Sequence, residues 1–480
     1  MFDVFSNRAF RFVVIFILVV ISLLTTYRYL VNTTLNDVYL YSLAKSTAWV
    51  LSKVGDNVEL EGVVTENPKE VRAWLSAWAR GVDRPDDEDY KRVSDKPLTP
   101  WEQWSYRAQR ARKNNIQTKL GPRVSFTYKY GLYQRINLLE KEIDRIKSSN
   151  ISEEEKASLL AKYHIQLVEL QSRYHQVLST PTGKEEINGK VFPFVIISEC
   201  GAIEIMAIFL AGVIAFPTGF WKKLLGAVIG IPLMYLVNIF RLSFLGVIGA
   251  LTSGGLWFEF FHYYIWQAVY IVFVVAVWLA WVEFVVFGGE EEETVWVRMR
   301  RIFSSKSVKP LLRTGWFCMK FLLVVIPLVC IWWSLIPIYG WMLVQISGVI
   351  LKYVMGVPIV AGGIHSLGFL NTSSTIYFVI QGQEFEKASP IALLVTNLPP
   401  FVSLMIITKM GWRSKLWKSL LGAGIIALGH VLFIVIALKY QEVLKEYSEL
   451  PTAVIQFYLT MPFMLWIAMV FREVFLGKQN

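Results

Sequence analysis

Three residue types that together can perform acyl transfer follow one another along this chain: Cys200, Arg241 and His262. A thiol becomes a nucleophile at neutral pH when a base takes its proton, and an imidazole can supply that base. A guanidinium aimed at the carbonyl under attack stabilises the charge that develops on its oxygen. Cys200 opens one apolar run, in Ser198-Glu-Cys-Gly-Ala-Ile-Glu204, and His262 opens another, in Phe258-Glu-Phe-Phe-His-Tyr-Tyr264. Arg241 lies 17 residues into the run between them, about 25 Å along a helix that rises 1.5 Å per residue. If each run is a membrane span, all three groups reach the outer face at the same depth. Taken singly, each has a plain reading: a small packing cysteine, a snorkelling arginine, a histidine of the interfacial belt. It is their coincidence at one level that points to a site.

Three further polar residues are placed to support the trio. Glu204 is four residues after Cys200 and shares its helix face, where it can neutralise Arg241. Asn238, three before Arg241, can orient it, and Glu259, three before His262, can hold its tautomer. Cys318 and Cys330 fall inside a later apolar run and read as packing, and His365 and His430 as structural. The site calls for no metal and no organic cofactor.

What must position these groups is set by composition. Of 480 residues, 54% are apolar and 18% charged, and the mean hydropathy is +0.45. This excludes a soluble enzyme and a disordered chain. The excess collects in runs long enough to cross the bilayer: 12–30, 193–217, 224–250, 262–287, 317–338, 389–408, 419–438 and 452–471, about eight spans. The first has Arg8 and Arg11 before it and no small-residue cleavage site, so it reads as an uncleaved span. With three cysteines the chain is not a disulfide scaffold.

A net charge of +11 could suggest nucleic acid, but the basic residues cluster beside the spans, as topology signals do. Lys222-Lys223, the Arg298–Arg313 cluster, Lys409–Lys418 and Arg472 alternate with the other loops and share a side with the N-terminal arginines. Short basic loops mark the cytoplasm. Both termini are therefore expected there, in a cytoplasmic or inner membrane, with the trio facing outward. The long segment 32–192 then lies outside. Within it, Leu40–Val54 has an amphipathic helix pattern ending at Gly55, and Val58–Val64 and Glu186–Phe192 alternate like short strands, the second with an Asn-Gly turn. Between them, about 66–185 reads as a helical insertion ending in a hairpin, Tyr133–Ser148 and Ser152–Leu178, zipped by Ile136, Leu139, Ile143 and Ile146 against Leu160, Tyr163, Leu167, Leu170 and Tyr174. It serves either as a solvated spacer or as a partner-binding arm.

Two halves repeat. Trp221-Lys-Lys-Leu-Leu-Gly-Ala227 recurs as Trp417-Lys-Ser-Leu-Leu-Gly-Ala423, 196 positions on, and Trp341–Val354 with Gly356 mirrors the 40–55 stretch. The expected architecture is an all-α polytopic membrane protein of two four-helix units: span 1–31, outer segment 32–192, core 193–288, basic linker 289–316 and second unit 317–480. At the same offset Cys200, Arg241 and His262 meet Thr396, Ala437 and Tyr458, so the second unit carries no copy of the trio.

Glu199-Cys-Gly-Ala, Ala207-Ile-Phe-Leu-Ala-Gly212, Pro217, Asn238-Ile-Phe-Arg241 and His262, in this order, resemble the exosortase/archaeosortase family over roughly 190–285. The resemblance implies a membrane-embedded cysteine transpeptidase or protease that cleaves C-terminal sorting signals (a short motif, a transmembrane helix and a basic cluster) of exported proteins. It implies Cys200 as nucleophile, Arg241 at the reacting carbonyl and His262 as acid and base. Gly201 departs from the family, which commonly has a hydroxyl residue there, and neither the 66–185 insertion nor the second unit belongs to the common core. The expected partners are exported substrates and membrane lipids, a protein at the hairpin being a further possibility, with no nucleic acid. Two rivals remain open: a non-enzymatic subunit of a secretion or surface-polysaccharide machine, and a transporter, which parallel repeats without broken midplane helices disfavour.

Overall fold

The structure is a computed structural model that describes residues 7–62, 66–114, 120–178, 180, 183–286, 308–366, 374–382, 387–440 and 461–470. Most of the linker 289–316, the loop before the last apolar run and Tyr458 lie outside the described residues. The chain is mostly helical and divides into two compact units. One comprises 29–202 with 235–262, and the other 1–28, 203–234 and 263–480.

Helix α1 (Asn7–Leu30), which belongs almost wholly to the other unit, is followed by α2 (Thr34–Leu51) of the first. Helix α2 buries Leu40, Leu43, Ala44, Thr47 and Leu51, the i, i+3, i+4, i+7, i+11 positions that put one apolar stripe on a core. That core is closed by β1 (Asn57–Leu60), β2 (Arg123–Tyr130) and β3 (Gly189–Val195), an antiparallel sheet with β2 in the centre. Val124 and Phe126 of β2, Ile196, and Ile239, Leu242 and Ala250 complete it. The alternation of strand β2 places Val124 and Phe126 inward and its charged ends outward.

Strand β2 corrects the expected single insertion. The 66–185 segment is cut into a compact helical piece, α3 (Pro68–Ala79), α4 (Asp87–Arg92) and α5 (Pro100–Lys113), and a hairpin, α6 (Leu132–Lys147) and α7 (Glu153–Leu178). The hairpin helices fall within one or two residues of expectation. Ile136, Ile143 and Ile146 are buried, whereas no residue of α7 is. The strand expected at 186–192 starts later, because 183–188 form a short helix, α8, ahead of it. Asn188-Gly189 is thus a helix stop and not a hairpin turn: Gly189 takes φ +72, and a Cβ there would lie 2.3 Å from the Gly131 nitrogen. The first strand is likewise shorter than expected, ending where Glu61 turns its buried carboxylate to Arg107 at 2.9 Å.

The apolar segments fall on all eight sequence runs. Four are long and apolar enough to cross a membrane: α1 over Arg11–Leu30, α10 (Phe220–Thr252), the Gly315–Val354 stretch that begins within α13 (Val308–Val349), and α15 (Trp412–Lys439). Four are shorter: α9 (Ile203–Ala215), Val272–Val286 at the end of α12 (Trp266–Trp281), α14 (Leu398–Ile407) and α16 (Met461–Val470). The run 193–217 is therefore not one helix. Its beginning completes β3, residues 198–201 form a 3-10 turn, and 13 residues remain for α9. In the other direction, 317–338 and 341–354, expected as separate pieces, join in one helix that runs on into a π turn at 350–354. After α13 comes a second antiparallel sheet, β4 (Ile359–His365), β5 (Thr375–Ile380) and β6 (Lys387–Pro390), and then one turn at Ala392–Val395. Two small sheets thus accompany the helices.

The helices α3 and α5 are joined by Arg72, whose Nε and Nη2 donate to Glu102 at 2.7 and 3.1 Å, and Glu102 also closes the capping box with Thr99. The Arg72 bond, opposed by burial and aided by Thr99, holds the Glu102 carboxyl down at about 2. The folded value lies below the ordinary one, so this stabilisation is complete above about pH 4.5 and is lost as pH falls toward 2. Arg72→Ala should cost about 1–2 kcal/mol at pH 7, screening included. Its difference from wild type should shrink below pH 4.5. Amide hydrogen exchange over 68–113, corrected for its intrinsic pH dependence, measures both.

Candidate active site

Cys200, Asn238, Arg241, Glu259 and His262 all fall in the unit that holds the first sheet, and Glu204 falls in the other. Cys200 lies on the 3-10 turn Ser198–Gly201, between the end of β3 and the start of α9. The turn is closed by the Cys200 nitrogen donating to the Ile197 carbonyl at 2.9 Å, and the chain leaves it through Ala202 at φ +57. Alanine in that region costs free energy that the surroundings must supply. Cys200 is a half-buried thiol packed against the core of α2 and the sheet.

From α10, Asn238 donates through Nδ2 to the Cys200 carbonyl at 2.8 Å and accepts at Oδ1 from Arg241 Nη1 at 3.5 Å. Asn238 is fully buried and Arg241 is 5% exposed. The i, i+3 spacing read from the sequence does what helical geometry requires, placing both on one face. His262 sits in a π turn, Phe261–Ile265, between α11 (Leu256–Phe260) and α12, with its ring stacked on Phe258 at 5.6 Å. Phe258 in turn packs on Phe192 of β3 at 5.0 Å, which ties the imidazole to the strand that leads to Cys200. π turns recur where a helix must re-aim a side chain at a site.

One polar chain therefore connects the cysteine turn, Asn238 and Arg241, and His262 joins the same strand through its aromatic stack. Glu259 is exposed in the first turn of α11, and its nitrogen bonds to the Gly255 carbonyl. Glu204 is buried in the first turn of α9. No metal-binding group of three or more His, Cys, Asp or Glu occurs among the described residues. No protein family, curated protein or solved structure matches the chain.

Two sets of polar residues escape a reading of spacing. Asn36 and Tyr39 of α2 bond to the cysteine turn, at Ser198 Oγ and the Gly201 carbonyl. The other set, in the second unit, centres on His430 of α15, which is fully buried. Its Nδ1 meets the Tyr339 hydroxyl at 2.9 Å and its Nε2 meets Asn397 Oδ1 at 2.9 Å. Since Oδ1 can only accept, the ring carries its proton on Nε2 and accepts at Nδ1 a hydrogen bond from the Tyr339 hydroxyl. The structural role expected of His430 thereby gains its content: it ties α13 and α15 to the turn before α14.

Removing that ring takes a hydrogen-bond partner from Tyr339 and from Asn397 in an apolar setting. His430→Leu should lower stability by about 1–3 kcal/mol, and Tyr339→Phe combined with it should cost little more. Thermal unfolding of the four proteins of this cycle in detergent measures the coupling, and strict additivity would refute the relay.

Proposed function

We propose that the chain is a multi-pass membrane cysteine transpeptidase or protease of exosortase type, acting on the outer face upon C-terminal sorting signals of exported proteins. The observation that carries this reading is the bonded path from the Cys200 carbonyl through Asn238 to Arg241, in the compact unit that also holds His262. A nucleophile, a cation and a base carried by three different elements are thereby gathered in one compact unit.

In the proposed reaction His262 takes the Cys200 proton, and the thiolate attacks the carbonyl carbon of the scissile peptide bond. Arg241 faces the oxyanion of the tetrahedral adduct. The C–N bond then breaks as His262 returns the proton to the leaving amine, and an acyl thioester on Cys200 remains. Water or another nucleophilic acceptor, deprotonated by His262, attacks the thioester and releases the thiolate. Asn238 holds both the nucleophile's turn and Arg241. Among the described residues nothing in this scheme needs a metal.

The topology of the proposal has eight spans with both termini in the cytoplasm. In each half a span and an amphipathic helical stretch lead to a three-stranded antiparallel sheet, a short apolar helix and a long one. This common order supports two copies of one unit, of which the first holds the reaction.

A small thiol reagent such as iodoacetamide should label Cys200 faster than Cys330. Cys200→Ala should abolish removal of C-terminal anchors from exported proteins while the protein still folds. Arg241→Ala and His262→Ala should each lower turnover about 10²–10⁴-fold, and Thr396→Ala less than about tenfold. Anchor processing at the wild-type rate in Cys200→Ala would leave the non-enzymatic subunit as the better reading. For topology, cysteines placed at Asp87 and Asn150 should react with an impermeant maleimide from outside intact cells, and one at Ser414 should not. The reverse pattern would place the site in the cytoplasm.

A further inference from the structure

We infer that Asn36 and Tyr39, on helix α2, are positioning residues that fix the direction of the Cys200 side chain. The inference rests on the transpeptidase reading and deepens it. Both residues lie on one face of α2, three positions apart, and both are directed at the same four-residue turn. Asn36 is 6% exposed. Its Nδ2 donates to Ser198 Oγ at 3.2 Å and to the Val31 carbonyl at 2.9 Å, so the amide is itself anchored at the start of the helix. The Tyr39 hydroxyl donates to the Gly201 carbonyl, and its ring is placed by Tyr235 at 6.0 Å.

These contacts bracket the nucleophile: Ser198 is held two residues before it, Gly201 one residue after it, and Asn238 holds its own carbonyl. A short 3-10 turn has poor hydrogen-bond geometry of its own, and this one leads into a left-handed alanine. Without outside bonds it has other conformations available, each sending the Cys200 Cα–Cβ bond elsewhere. A nucleophile displaced by about an ångström loses rate even where binding persists. Of the charged groups on the two helices that hold the turn, Asp37 is paired with Arg112, Lys45 is exposed, and Lys222 and Lys223, at the far end of α10, donate to the Val286 and Ile214 carbonyls. Arg241, His262 and, on the turn itself, Glu199 are then the groups that set the thiol's titration.

The test follows iodoacetamide labelling of Cys200 against pH, read by mass spectrometry on the full-length protein in lipid vesicles. Tyr39→Phe and Asn36→Ala each remove a donor. Each should slow labelling at pH 7 about 5–20-fold and move the midpoint of the profile up toward the ordinary thiol value near 8.5. Tyr235→Phe, whose hydroxyl meets Ser42 and Ser46 and not the turn, should stay within about twofold of wild type. Ser198→Ala removes the other end of the Asn36 bond and should reproduce Asn36→Ala, so it decides if either α2 variant loses its thermal transition. Wild-type profiles in the folded variants would overturn the positioning inference and leave the transpeptidase reading standing. A wild-type Cys200 that already titrates near the ordinary thiol value would instead overturn that reading, and the positioning role with it.

Discussion

A carboxamide buried completely inside an apolar helix must find partners or be expelled. Asn238 is that group, and its partner is the carbonyl of Cys200. A carbonyl becomes available there because the chain between β3 and α9 belongs to neither element. The two needs answer each other. The turn gives Asn238 an acceptor, and Asn238 gives the turn a fixed place against α10. With Oδ1 left to accept from Arg241, the same amide sets a guanidinium beside the cysteine turn. Its replacement by an apolar residue of the same size would take one partner from a buried carbonyl and one from a buried cation.

The packing around this contact follows from close approach. Strand β3 lies so near α10 that a Cβ at Gly249 would fall 2.4 Å from the ring of Phe192. Phe192 also carries Phe258, and Phe258 carries His262. The position of the imidazole thus depends on a glycine in the helix that holds the arginine. Stacked aromatics suit this purpose, since their large faces lose little conformational freedom when buried.

Hydropathy made the apolar helices legible: each of the eight runs contains a helix or part of one. The pairing of Asn238 with Arg241 was legible from helical spacing. Strand β2 was not, because its charged ends sit among charged helices, and only its pairing with β1 and β3 makes it a strand. The run 193–217 misled for the opposite reason. Its composition is uniform, and what divides it is a tertiary contact, the clamp on residues 198–201. Asn36 and Tyr39 lie 162 positions from the residues they hold, a separation that no local periodicity reports. The His430 network joins residues from three separate segments and was hidden in the same way.

The two halves, taken as copies, solve one problem differently. Each must secure a turn between a sheet and a short apolar helix. In the first half the turn is held by its backbone: the carbonyls of Cys200 and Gly201 accept from Asn238 and Tyr39. In the second the residue aligned with Gly201 is Asn397, and its own side chain makes the bond, through His430 to Tyr339. Tyr39 and Tyr339 each lie just ahead of one of the paired amphipathic stretches. What changed is the route from tyrosine to turn. A turn gripped by its backbone can present a reactive side chain of its own, as the proposed chemistry requires. A turn gripped through a buried asparagine and histidine gains a rigid connection between α13 and α15. On this account the second half retained the architecture of the site and turned its polar groups to holding the membrane helices together.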